Sequence, residues 1–234
     1  MTRRRWIADE VHGNSAALTG EHASHLSRVL RAQTGQEFDI ACGDAVRRGK
    51  IVSVSDERVE FSLGEEVAVG APANVTLVLA IFKFDRMEWA IEKCTEIGVA
   101  RIIPVIARRT DAHLAVAAAK RHERWERICR QAAEQSRRAA PPEVSVPIKL
   151  KELSSTSASL IVLSESETSK TLRDVLPPSA FEAVLAIGPE GGWTDEELQW
   201  FRGSGWTTAS LGNTILRAET AAIVAAALAV EILG

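Results

Sequence analysis

Gly188-Pro189-Glu190-Gly191-Gly192-Trp193-Thr194 and, after a short gap, Leu211-Gly212-Asn213-Thr214-Ile215-Leu216-Arg217-Ala218-Glu219-Thr220 are the stretches on which the reading of this chain turns. An apolar run over 183–187 ends at Gly188, and Thr194 with Glu197 three residues on has the pattern of a capping box. The first stretch therefore reads as strand, glycine loop, helix start. Glycines at such a place let the backbone approach a ligand where a Cβ would collide, and amides at the helix start can donate to it. Two such loops so close together point to one shared pocket. Their spacing excludes two common explanations: there is no G-x-G-x-x-G after a first strand and no G-x-x-x-x-G-K-[ST].

Working outward, the pattern changes near residues 70–74. Before that point come short segments with turn signals: a helix over 21–31 and strands over 37–42, 45–55 and 59–63, which suit a small barrel or meander. On the helix, His22, His25 and Arg28 project from one side while Leu26, Val29 and Leu30 face inward. After Gly70-Ala71-Pro72 the spacing predicts a buried strand over 75–81, a helix over 86–97 with Met87, Ala90, Ile91, Cys94 and Ile97 on one face, and a strand over 101–106. A long helix over 115–138 is stopped by Pro141-Pro142, and strands follow over 160–163, 183–187 and 208–211. Strand and helix alternating in this way imply an α/β domain with a parallel sheet.

Composition narrows the class. With 46% hydrophobic and 25% charged residues the chain is ordinary for a soluble globular protein, and no basic start leads into an apolar leader, so the expectation is a cytoplasmic protein. The Ala-rich run over 221–230 is too short to cross a bilayer. Cys42, Cys94 and Cys129 have no C-x-x-C spacing, and His22 with His25 lacks a third ligand, so neither a disulfide framework nor a metal site is expected. The formal charge of −3 hides a basic stretch between Arg101 and Arg138, and a second group of arginines lies near the N-terminus. Arginine clusters suit phosphate, although pairs such as Glu123 with Arg127 are equally consistent with a solvated helix face.

GPEGGWTDEEL (188–198) and SLGNTILRAETAAI (210–223), with DRMEWAIEKCTEIGV (85–99), RIIPV (101–105), RWERICRQAAEQSRR (124–138) and HASHLSRVLR (22–31), together resemble the RsmE-type ribosomal RNA uridine-N3 methyltransferases, a branch of the SPOUT methyltransferases. The resemblance implies two domains: a PUA-like β-barrel over 1–72 that binds RNA, and a SPOUT α/β domain over 73–234, tied in a trefoil knot, that binds S-adenosylmethionine. It implies methylation of uridine N3 at a single site near the decoding centre of 16S ribosomal RNA in the small subunit. Rival readings are a knotted enzyme acting on a tRNA ribose or guanine, and a non-catalytic RNA-binding protein.

Carried onto this sequence, the resemblance places the donor against Gly188, Pro189, Glu190, Gly191 and Gly192 in one loop and Leu211, Gly212, Asn213, Ile215, Leu216 and Arg217 in the other. Leu163 and Glu165 at a strand end form a third wall. Because neutral uridine is a poor nucleophile, the chemistry needs an anion stabiliser, for which Arg217 and Arg138 are candidates, and a proton acceptor, for which Glu190 and Glu219 are candidates. RNA contacts are expected at Arg3, Arg4, His25, Arg28, Arg31, Lys83, Arg86, Arg137 and Arg138. Ile81-Phe82-Lys83-Phe84 departs from the proline- and glycine-containing segment of many relatives, a departure that bears on RNA contacts at that edge and not on the cofactor site, while Lys83 and Arg86 keep positive charge there. The segment 216–233 is apolar on nearly every side, which suits packing on a sheet with one face and on a second copy with the other, so a homodimer is expected.

Overall fold

The computed structural model of the chain describes residues 5–43, 45–68, 73–154 and 159–234. Arg3 and Arg4 lie outside them. The chain forms two compact units, Met1–Ala71 with Ala133–Pro141, and Pro72–Ala132 with Pro142–Gly234.

The first unit is built on a six-stranded sheet: β1 (Arg5–Ile7), β2 (Glu10–His12), β3 (Ser15–Thr19), β4 (Glu37–Cys42), β5 (Ala45–Val54) and β6 (Arg58–Val67), in the order β1-β4-β5-β6-β3-β2. β1 runs parallel to β4, and the other pairs are antiparallel. A short helix α1 (Gly20–Ser24) continues into a π-helical turn, His25–Val29. Leu26 is fully buried, but Val29 is 65% exposed and Leu30 38% exposed, against the expectation that both face inward. The cause is local. The Leu30 amide bonds back to the His25 carbonyl, five residues earlier, so the wider turn rotates the next side chains out of the apolar stripe. The core holds Trp6, Leu18, Leu26, Ile40, Ile51, Val59 and Phe61.

The second unit carries an all-parallel sheet. Its elements are β7 (Val75–Ala80), α2 (Phe84–Ile97), β8 (Arg101–Ile106), α3 (Ala112–Ala118), α4 (His122–Gln135), β9 (Glu143–Val144), β10 (Ile148–Lys149), β11 (Ser159–Leu163), α5 (Leu172–Val175), β12 (Ala183–Ile187), α6 (Asp195–Gly203), β13 (Thr207–Ala209) and α7 (Ala218–Leu233). The strand order is β10-β8-β7-β12-β11-β13, with β9 beside β8. β7 and β12 are buried on both faces, as their unbroken apolar runs require. Val75, Leu77 and Leu79 face the layer of α2, α7 and Trp125, while Val78 and Ala80 face Leu198, Phe201 and Trp206 on and after α6.

The predicted helix over 115–138 is broken. A 3₁₀ turn at Ala119–Arg121 separates α3 from α4, and α4 ends at Gln135 before Arg137 takes a left-handed φ of 60°. The carbonyl of Arg137 accepts from Nη1 of Arg5, and the segment Ala133–Pro141 belongs to the first unit. α7 starts at Ala218, two residues later than expected, so Leu216 and Arg217 belong to the preceding loop. Cys42, Cys94 and Cys129 form no disulfide among the described residues, and burial pushes the Cys94 thiol well above its ordinary range, which leaves it an inert packing group. No helix among the described residues is long and apolar enough to cross a membrane.

At Gly49 in β5 a Cβ would stand 2.4 Å from Cγ1 of Ile40 and 3.3 Å from Phe61. Gly49→Ala is therefore expected to overpack the first core and cost about 1–3 kcal/mol. A urea titration that finds an unchanged midpoint would show that Ile40 gives way freely.

Candidate active site

Three parallel strands end side by side. Leu163, Ile187 and Ala209 close β11, β12 and β13, and pairing of β11 with both neighbours fixes their carboxyl ends at one edge of the sheet. The loops that leave these ends enclose a cleft that opens to solvent. In open parallel sheets this is where ligands bind.

Of the residues expected to hold a cofactor, Leu163, Glu165, Gly188, Pro189, Glu190, Gly192, Leu211, Gly212, Ile215 and Leu216 line the cleft. Gly191, Asn213 and Arg217 are not among the lining residues. Gly191 instead presents its carbonyl to Nη1 of Arg109 at 2.5 Å, while Asn213 and Arg217 point to solvent from the last loop. Ser164, between Leu163 and Glu165 on the third wall, also lines the cleft, as do Ile187, Trp193, Ser210, Thr214, Ala218 and Ala221, which were not among the expected donor contacts. These six lie within the quoted stretches or at the end of the apolar run before them, so adjacency was the available signal.

The glycine loop is held by its neighbours. Gly192 has a φ of 70°, and a Cβ there would lie 2.6 Å from Oε1 of Glu165, so the Glu165 carboxylate occupies the space that any side chain would need. A Cβ on Gly188 would press on the Trp193 indole at 3.3 Å. That indole is buried and packs edge-on to Phe201 at 5.0 Å, in a cluster completed by Trp200 and Trp206. Thr194 then caps α6: its Oγ1 accepts from the Glu197 amide at 3.2 Å, and Oε2 of Glu197 accepts from the Thr194 amide at 2.8 Å. Oε1 of Glu197 takes the Arg108 amide at 2.7 Å. Arg109 donates to the carbonyls of both Gly191 and Trp193, the latter at 3.3 Å. The turn after β8 thus clamps the glycine loop, a role no local pattern around Arg109 announces.

The candidate catalytic groups separate by burial. Glu190 is about one third exposed and lines the cleft, whereas Glu219 is 8% exposed and is not a lining residue. Nη1 of Arg86 lies 3.9 Å from Glu190 and 3.7 Å from Glu219. Arg86, expected to meet RNA, therefore faces two carboxylates at the site. Arg217 is exposed at the N-cap of α7. Arg138 lies in the first unit, as does Arg137.

Among the other expected RNA contacts, Lys83 is exposed at the N-cap of α2 and Arg31 is exposed with a φ of 50°. Arg28 pairs with Asp56 at 2.7 Å on the surface, and the His25 ring is 5.8 Å from that of Trp6. His22 also meets Trp6, at 6.2 Å, and lies 3.4 Å from Asp9, so these histidines pack on the core edge rather than forming a free row. In the basic stretch, Arg121 and Arg124 both reach Glu88 on α2, at 3.4 and 2.7 Å. Among the described residues no group of three His, Cys, Asp or Glu side chains is arranged to hold a metal ion.

Residues 70–230 match the family model of an RNA methyltransferase domain. The chain is 33% identical to the ribosomal RNA small subunit methyltransferase E of Synechocystis sp., over 97% of this chain and 77% of that protein. Its fold matches that of a ribosomal RNA small subunit methyltransferase E from Neisseria gonorrhoeae bound to S-adenosyl methionine, with a TM-score of 0.86 and 30% identity over 97% of this chain and 96% of the other. A methyltransferase of Legionella pneumophila in complex with the same cofactor matches equally well, with a TM-score of 0.86 and 31% identity over 98% and 97% of the two chains. The match of the family model over 70–230, the 33% identity over 97% of the chain and the shared fold show that this chain, with its cleft at the carboxyl ends of a parallel sheet, belongs to the ribosomal RNA small subunit methyltransferase E family.

Proposed function

We infer that this protein is an S-adenosylmethionine-dependent ribosomal RNA methyltransferase acting on the small subunit, and that its product is N3-methyluridine at one position near the decoding centre of 16S RNA. The observation that carries the reading is the cleft itself. Its apolar walls, Leu163, Ile187, Leu211 and Leu216, suit a flat adenine, and Glu165 offers two acceptor oxygens to the vicinal hydroxyls of a ribose. Gly188 and Gly192 bring the backbone close where side chains would fill the space.

When bound, S-adenosylmethionine supplies a methyl group already made electrophilic by a positively charged sulfur. What remains for the chain is to orient the base and manage a proton. The uracil N3 must lie in line with the methyl, which is a positioning task. Its proton passes to a base, for which Glu190 in the cleft wall is the better placed carboxylate; buried Glu219 serves as the partner of Arg86. Negative charge then spreads to the two uracil carbonyl oxygens, and exposed Arg217 at the start of α7 is suited to stabilise it. Arg138 is assigned to the RNA rather than to the uracil anion.

We assign residues 1–72, with 133–141, to a PUA-like RNA-binding domain and the remainder to a SPOUT domain. Arg3, Arg4, His25, Arg28, Arg31, Arg137 and Arg138 of the first domain, with Lys83 of the second, are the RNA contacts. A trefoil knot is supported by the path of the last segment. After β13 the chain pairs at Ser210 with Thr171, in the β11–β12 connection, and α7 then packs beside α2 on the face of the sheet opposite α6. A homodimer is supported by α7, whose inner Ala222, Ala225, Ala226 and Ala229 are fully buried while Val224 and Leu228 stay half-buried and Ala227 exposed on the remaining face. Cytoplasmic location accords with a ribosomal substrate.

Incubation with labelled S-adenosylmethionine and small subunits from cells lacking the activity, followed by nucleoside mass spectrometry, is expected to yield N3-methyluridine. A different methylated nucleoside would overturn the acceptor assignment. Arg109→Ala, which removes two bonds to the glycine loop, is expected to raise the donor Kd roughly tenfold, since bonds from a charged donor contribute about 1.5–3 kcal/mol. Arg217→Ala should instead lower kcat by about a hundredfold with little change in donor affinity, as for loss of one oxyanion donor. Calorimetry and single-turnover rates separate the two, and a donor Kd that moves only in Arg217→Ala would reverse these roles.

A further inference from the structure

Arg86, Glu190 and Glu219 come from three separate elements: the first turn of α2, the glycine loop and the first turn of α7. One guanidinium faces two carboxylates at 3.9 and 3.7 Å, so the cluster carries one negative charge in excess. Its two acids have different settings. Glu190 stands in the cleft wall, while Glu219 is more than nine-tenths buried, and its Oε2 is shielded from solvent with no hydrogen-bond partner. Ala218 and Ala221, which flank Glu219 on α7, line the cleft. Burying a carboxylate with an open oxygen is costly, and the positive end of α7 together with Arg86 offsets only part of that cost. A residual negative potential is therefore built into the wall of the site, in surroundings of lower dielectric than water.

Resting on the donor reading above, we propose that the Arg86–Glu190–Glu219 cluster discriminates between the methyl donor and its product by charge. During transfer the N3 electron pair forms the new N–C bond, and the pair of the S–C bond returns to sulfur. The sulfonium, a cation, thus becomes S-adenosylhomocysteine, a neutral thioether. The two molecules are otherwise nearly the same shape, so apolar walls hold them alike. The excess negative charge holds the first and has no counterpart on the second, so the spent product is released in favour of fresh donor.

The test is calorimetric titration of the full-length protein with S-adenosylmethionine and with S-adenosylhomocysteine, for wild type, Glu190→Gln, Glu219→Gln and Arg86→Lys. The two neutralising variants are expected to lower the ratio of product Kd to donor Kd by roughly tenfold, which corresponds to about 1.4 kcal/mol, with nearly all of the change in the donor. Arg86→Lys, which keeps every charge, should hold the ratio within about twofold. Glu190 is on a surface loop, so its variant remains informative should Glu219→Gln fail to fold. Equal weakening of both ligands in Glu190→Gln, or no change in either, would overturn the proposal while leaving the donor reading intact. Wild-type protein that binds neither ligand would overturn both.

Discussion

The insertion of β12 between β7 and β11 is the constraint on which the rest of this structure depends. The chain first builds β7, β8 and β10 outward to one edge, then crosses to lay β11 on the far side, and only afterwards fills the gap with β12. Parallel pairing on both sides of β12, from Ala183 opposite Val75 to Ile187 opposite Leu79, leaves no freedom in where its carboxyl end falls. Three loops must therefore emerge together from β11, β12 and β13. Glycine in the middle loop and a carboxylate in the first let the two approach within contact distance, and the cleft follows.

Rigid supports surround that cleft on one side. The Trp193, Phe201 and Trp206 cluster anchors the far end of the glycine loop, the Thr194–Glu197 capping box fixes the helix after it, and Arg108 and Arg109 tie it to the turn after β8. The other side is different. The last loop carries Ile215, 84% exposed, and the exposed Arg217 at an N-cap without a side-chain cap hydrogen bond. A braced wall beside an open one suits a reaction whose second substrate is a large RNA.

Much of this was legible in the residues. Continuous apolar runs placed β7, β8 and β12, and the 3.6-residue stripe of Met87, Ala90, Ile91 and Cys94 placed the buried face of α2. The capping box named the start of α6, and the two glycine stretches supplied most of the cleft lining. What escaped was set by tertiary contact. β1 and β2 are three residues each, too short for a period to show, and they exist because β4 and β3 pair with them. The π-helical turn after Ser24 and the break before α4 override stripes that would have continued in an isolated helix. Arg109 reaches Gly191 across 82 positions of sequence, so its place in the site cannot be read from its neighbours. Gly191, expected in the cradle, gives its carbonyl to Arg109.

The account stands on the donor occupying the space between the Glu165 and Gly192 loops. The most direct measurement is the affinity of Gly192→Val for S-adenosylmethionine, with circular dichroism and thermal melting to confirm that the sheet is intact. A valine would need both the left-handed φ of 70° and the volume now filled by the Glu165 carboxylate. The expected result is a folded protein that melts below wild type because of the local strain, with a loss of donor affinity of about a hundredfold or more, or roughly 2.7 kcal/mol. A folded variant that binds the donor as tightly as wild type would contradict it and move the donor to another surface of the protein.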